Sequence, residues 1–128
     1  MLERENKILI IDERGFSRIC SAIVEECVGY ETDTVSRVSD LPAKMENREL
    51  RLVVTSYPFG EFFFDAIRKR DVPAIILTDN VDKNLLTMLD GYDKAYCMIK
   101  PLDYEKFKTL VKQVVCGEPV ARDGCGIV

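Results

Sequence analysis

Lys7-Ile8-Leu9-Ile10-Ile11-Asp12-Glu13 sets four apolar residues in unbroken succession and then two acids. A strand with one wet face alternates apolar and polar side chains, whereas a strand covered on both faces has no need to. Ile8–Ile11 therefore predicts a strand buried between two layers of helices, the usual condition of a parallel sheet. Leu52–Val54 and Ala74–Leu77 repeat the pattern, and Ala95–Ile99 follows it less strictly. A fifth candidate, Tyr30–Val35, alternates and carries Glu31 and Asp33, as a half-exposed edge strand does.

Between these runs the apolar period changes. Phe16, Ile19, Cys20, Ile23 and Cys27 fall on one stripe of a helix, and Phe107, Leu110, Val111, Val114 and Val115 do the same near the C-terminus, with Gly117 as a stop. Shorter helices fit Asp40–Arg48, where Pro42 is tolerable in the first turn, and also Glu61–Lys69 and Asp82–Leu89. Strand and helix thus alternate five times. Parallel strands need right-handed crossovers, so the economical solution is an open, doubly wound α/β sheet. With the second strand at an edge and the first and third inside, the expected strand order is the flavodoxin-like 2-1-3-4-5. Its crevice opens at the carboxyl ends of strands 1 and 3. One domain is expected over residues 1–117, with a tail over 118–128.

Composition narrows the class. The chain has 128 residues, of which 47% are hydrophobic and 31% charged, enough for a single good core. No apolar run approaches the roughly 20 residues that cross a bilayer, and Met-Leu-Glu-Arg-Glu-Asn-Lys lacks the apolar stretch of a signal peptide, so a cytoplasmic protein is expected. The net charge of −4 argues against a duplex-binding surface, and Arg68-Lys69-Arg70 reads as a solvated helix end. The five cysteines show no C-x-x-C spacing, and the absence of histidine removes the commonest general base and metal ligand. Cys125-Gly126-Ile127-Val128 has the outline of a prenylation box, but without upstream lysines it reads as a plain tail.

In such a sheet, function is sought where the strands end. Strand 1 ends in Asp12-Glu13, strand 3 in Thr55-Ser56 followed by Tyr57-Pro58, strand 4 in Thr78-Asp79-Asn80, and strand 5 in Lys100-Pro101. An acidic pair, hydroxyls and a lysine converge on one rim. Here the chain, from about Lys7 to Gly117, resembles the receiver domains of bacterial response regulators, which have the CheY-like fold. The resemblance is carried by Ile-Ile-Asp12-Glu13, by Ile-Leu-Thr78, by Ile-Lys100-Pro101-Leu-Asp103, and by the separation of Thr78 from Lys100. It implies that Asp12 and Glu13 match an Mg²⁺-holding pair, and that Thr78 and Lys100 match the groups that bind phosphoryl oxygens. The family's acceptor aspartate falls on Ser56 or, less well, on Thr55.

That position is the main departure. An ionised carboxylate is a ready nucleophile and a metal ligand, whereas a serine hydroxyl is un-ionised at neutral pH and needs a neighbouring base. Mg²⁺ prefers oxygen anions, so Asp12 and Glu13 alone are expected to hold it weakly or not at all. Asp79 stands where the family has a small residue and would repel phosphate. The family's switch aromatic falls on Cys97, with Tyr96 one step away and facing the opposite side. The segment from Ser56 to Thr78 is also shorter than in typical receivers. Acceptor and read-out both look dismantled.

Each feature has a plainer alternative. Asp12 and Glu13 are a vestigial metal site or simply partners of Lys100, which is expected to pair with Asp12 or Asp79. Ser56 and Thr55 are modified hydroxyls or inert small residues. Thr78 is a phosphate ligand or a cap on local backbone groups. Phe62-Phe63-Phe64 would fan across about 200° of a helix, wider than the roughly 100° stripe a surface helix buries, so one ring, such as Phe63, is expected to be exposed unless the short loop covers it. By resemblance, the partner face lies on the fourth helix, strand 5 and the fifth helix, and would include Leu85, Met88, Tyr96, Tyr104 and Lys108.

The expected function is that of a non-enzymatic, phosphorylation-independent pseudo-receiver. It would act as an adaptor that binds a histidine kinase, another regulator or a second copy of itself, with no cofactor, nucleic acid or membrane. The alternative is a phosphoryl acceptor or phosphotransfer intermediate using a non-standard group. A small flavodoxin-like enzyme fits less well, because Glu13-Arg14-Gly15-Phe16 is no Gly-rich phosphate loop.

Overall fold

The unbroken apolar runs form the strands expected of them in a computed structural model. The structure describes residues 7–11, 21–26, 29, 31–35, 50–57, 64–90, 92–100 and 103–118. The strands are β1 (Lys7–Ile11), β2 (Glu31–Val35), β3 (Leu50–Tyr57), β4 (Ala74–Thr78) and β5 (Ala95–Ile99). They make one sheet in the order β2-β1-β3-β4-β5, and every neighbouring pair is parallel. The described helices are α1 (residues 21–26), α2 (Phe64–Arg70), α3 (Lys83–Leu89) and α4 (Tyr104–Val115). The helix expected over Asp40–Arg48 and the tail beyond Glu118 lie outside the described residues.

Strand alternation divides the core into two layers. Ile8, Ile10, Leu52, Val54, Ile75, Leu77 and Met98 pack on one face with Val24 of α1 and with Phe107, Leu110 and Val111 of α4. On the other face, Leu9, Ile11, Val53 and Ala74 pack with Ile67 of α2, and Ile76, Ala95 and Cys97 pack with Phe64, Leu85 and Leu89. Burying side chains of this size stabilises the fold by about 1.5–3 kcal/mol each. The phase of β3 is set by an irregularity at its start. Lys7 pairs with Leu50 but Ile8 pairs with Leu52, so exposed Arg51 is an extra residue, as in a bulge.

The helix ends follow local chemistry. Asp82 caps α3 by accepting from the Leu85 N–H, and Asp103 caps α4 by accepting from the N–H groups of Glu105 and Lys106. Arg68, Lys69 and Arg70 occupy the last turn of α2, where cations oppose the helix dipole. At the end of α4, Gly117 adopts φ 72°. Its N–H donates to Val114 O, and the Glu118 N–H donates to Gln113 O at 2.8 Å, which is a Schellman closure.

Candidate functional site

β3 runs on through Ser56 and Tyr57, further than its apolar run of Leu52–Val54 suggests. Tyr57, expected in the following loop, is therefore part of the sheet. It stands opposite Thr78 on β4, and Thr78 stands opposite Ile99 on β5. Ser56 stands opposite Leu77 and is 3% exposed. Alternation places Ser56 on the face of Leu52 and Val54, and Tyr57 and Thr78 on the opposite face. Asp12, Glu13 and Pro101 lie outside the described residues.

Thr78 is engaged locally. Its hydroxyl donates to the Asn80 carbonyl at 2.7 Å and accepts from the Asn80 N–H at 3.2 Å. This is the backbone-capping arrangement, and it turns the hydroxyl into the loop after β4. Lys100 is tied to the same strand end, since its N–H donates to the Thr78 carbonyl at 2.7 Å. The Lys100 side chain is half-buried, and Asp79 is exposed on the loop. No Lys100–Asp79 ion pair occurs among the described residues, and the Asp12 alternative falls outside them.

Thr55, the other hydroxyl considered at the acceptor position, is fully buried, and its Oγ1 has no hydrogen-bond partner among the described residues. Among the described residues, no three acidic, cysteine or histidine side chains converge to hold a metal ion. At the ends of β3 and β4 the donors are the neutral hydroxyls of Ser56 and Thr78, with a lysine close by. Mg²⁺ asks for several oxygen anions, and Asp12 and Glu13, the acids expected to supply them, lie outside the described residues.

One rim residue was not singled out by sequence. The Tyr57 hydroxyl donates to both carboxylate oxygens of Asp82, at 3.2 and 3.3 Å, and accepts from Asn84 Nδ2 at 2.9 Å. Its ring packs with Phe64, Ile76, Leu85 and Cys97. The available signal was an aromatic ending an apolar run. Its partners are remote in sequence and become legible only once the strand register is known.

The expected partner face is partly revised. Leu85 is fully buried beneath α3, because it points onto the sheet beside Ile76, and it offers nothing to a partner. Met88, Tyr96 and Lys108 are half-buried. Tyr104 is 48% exposed, and so is Ile99, which sequence reading took only as strand. Phe64 is buried, while Phe62 and Phe63 lie outside the described residues. Cys97, expected by resemblance to stand where receiver domains carry a switch aromatic, is buried under α3, and Tyr96 packs on the opposite face.

No protein-family model matches the chain, and no curated protein is significantly similar to it. Solved structures are. A two-component response regulator from Clostridium difficile is 24% identical over 87% of this chain and 96% of its own, with a TM-score of 0.74. A CheY-like response regulator receiver domain protein from Methanospirillum hungatei is 19% identical over 88% and 94%, with a TM-score of 0.70. The signal receiver domain of an HD domain-containing protein from Pseudomonas fluorescens is 17% identical over 91% of each chain, with a TM-score of 0.74. The likeness is one of fold, and the fold is CheY-like. Among the described residues, no helix is long and apolar enough to cross a membrane.

Proposed function

We propose that this chain is a receiver-like signalling module of a two-component-type pathway that acts by binding a protein partner, without accepting a phosphoryl group. The observation that carries this reading is Ser56. It is a buried hydroxyl at the end of β3, where receiver domains present a nucleophilic carboxylate. A serine hydroxyl is un-ionised at neutral pH and is a far weaker nucleophile than a carboxylate, and the hydroxyl of Thr78 is already engaged by Asn80.

The partner is a histidine kinase, another regulator or a second copy of the chain, meeting it in the cytoplasm. The face offered to it is built on α3, β5 and α4, where Met88, Tyr96, Tyr104 and Lys108 are joined by Ile99. No catalytic step is assigned to the chain. Neither nucleic acid, membrane nor cofactor enters the reading, and Mg²⁺ is at most weakly held by Asp12 and Glu13.

The test is incubation with a small acyl-phosphate donor and Mg²⁺, followed by intact mass. An unmodified mass is expected. A stoichiometric phosphoryl adduct would replace this reading with that of an acceptor or phosphotransfer intermediate.

A further inference from the structure

The loop at residues 79–82 joins the end of β4 to the start of α3, and side chains tie it at both ends. At one end, Thr78 holds the carbonyl and N–H of Asn80. At the other, the Asp82 carboxylate accepts from the Leu85 N–H at 2.8 Å and from the hydroxyl of Tyr57. Asn84 completes the arrangement by donating to the same hydroxyl. One carboxylate thus joins a strand end, a helix cap and a loop.

We infer that Tyr57 is a clamp that fixes the start of α3 to the end of β3, so that the loop between β4 and α3 keeps one arrangement whatever happens at the strand ends. The inference rests on the adaptor reading, because it concerns the surface that a partner would meet. The ring of Tyr57 is anchored among Phe64, Ile76 and Leu85 and is 8% exposed. An aromatic side chain has few rotors to freeze, so the hydroxyl is presented at a fixed place. Hydrogen bonds to a charged acceptor are the stronger kind. If the loop swung away, the hydroxyl would lose its acceptor at a nearly buried site, and that loss opposes the movement.

Tyr57→Phe tests the clamp, since it keeps the ring and removes only the hydroxyl. Residue-resolved amide hydrogen exchange on the full chain is expected to show the Leu85 and Leu86 amides exchanging about tenfold faster, the ratio that loss of a charge-assisted hydrogen bond produces. The Cys116 and Gly117 amides at the end of α4, which open without disturbing this bond, should keep their rates. Asp82→Asn preserves a capping side chain but removes its charge, and should accelerate the same amides. The double variant should exceed the larger single effect by little. Unchanged rates at Leu85 and Leu86, an equal rise at Cys116 and Gly117, or fully additive effects would overturn the clamp. Intact mass after acyl-phosphate treatment is read separately. An adduct with the expected exchange pattern sinks the adaptor reading and spares the clamp, and unchanged exchange with no adduct does the reverse.

Discussion

The N–H of Lys100 donates to the carbonyl of Thr78 at 2.7 Å, just beyond the last ladder pair of β4 and β5, Thr78 with Ile99. Thr78 and Lys100 are therefore joined through their backbones, while the Thr78 side chain serves its own loop. Thr78→Val keeps the shape and removes that service, leaving the N–H and carbonyl of Asn80 without their side-chain partner. A loss of about 1–2 kcal/mol is expected from the urea midpoint.

Thr55 carries the opposite expectation. Its hydroxyl is fully buried without a hydrogen-bond partner among the described residues, so it bears the cost of lost hydration. Thr55→Val should raise stability by about 1 kcal/mol in the same measurement, because the orphan polar atom is exchanged for a packed methyl. A loss of stability would show that the hydroxyl is served by a group outside the described residues.

Asp71 adopts φ 58°, the left-handed region, between α2 and β4. Its carboxylate pairs with Lys94 at 3.1 Å, but both side chains are largely exposed and such pairs contribute little. Asp71→Gly should leave the thermal midpoint unchanged or slightly raised. Asp71→Val should cost about 1–2 kcal/mol, because a β-branched side chain clashes in that conformation.

Tyr92 sits beside this turn, with its hydroxyl donating to the Val72 carbonyl and its ring 5.9 Å from the Arg68 guanidinium. Burial, reinforced by the negative charge of Asp71 and offset in part by Arg68, pushes its pKa up to about 12 from 10.0. The folded chain thus keeps a proton that the unfolded chain releases first. Stability from this group is complete below pH 10 and is lost as pH rises towards about 12. A spectrophotometric titration should find a late-ionising tyrosine that is absent from Tyr92→Phe.

Ile99 and Tyr104 are large side chains left in solvent on the proposed partner face. Ile99→Glu and Tyr104→Ala should each shift stability by less than about 0.5 kcal/mol, as exposed substitutions do. Both should sharply weaken capture of the native partner in a pull-down. Undiminished capture with both variants would move the interface elsewhere.

The chain alone determined its layers and its rim. Ile8–Ile11, Ala74–Leu77 and the α4 stripe announce their period, and period is a local property that backbone geometry imposes on side chains. The neighbours of Ser56, Thr78 and Lys100 followed as well, since in a parallel sheet all strands end on one side. Tertiary structure decided the remainder. Leu85 is covered because α3 turns it onto Ile76, and Tyr57 is a rim residue because β3 extends and pairs with β4. The hydroxyl of Tyr57 finds Asp82 only across that pairing. Such partners are chosen by proximity in space, and hydrogen bonds that reach a fraction of a nanometre leave no periodic trace along the chain.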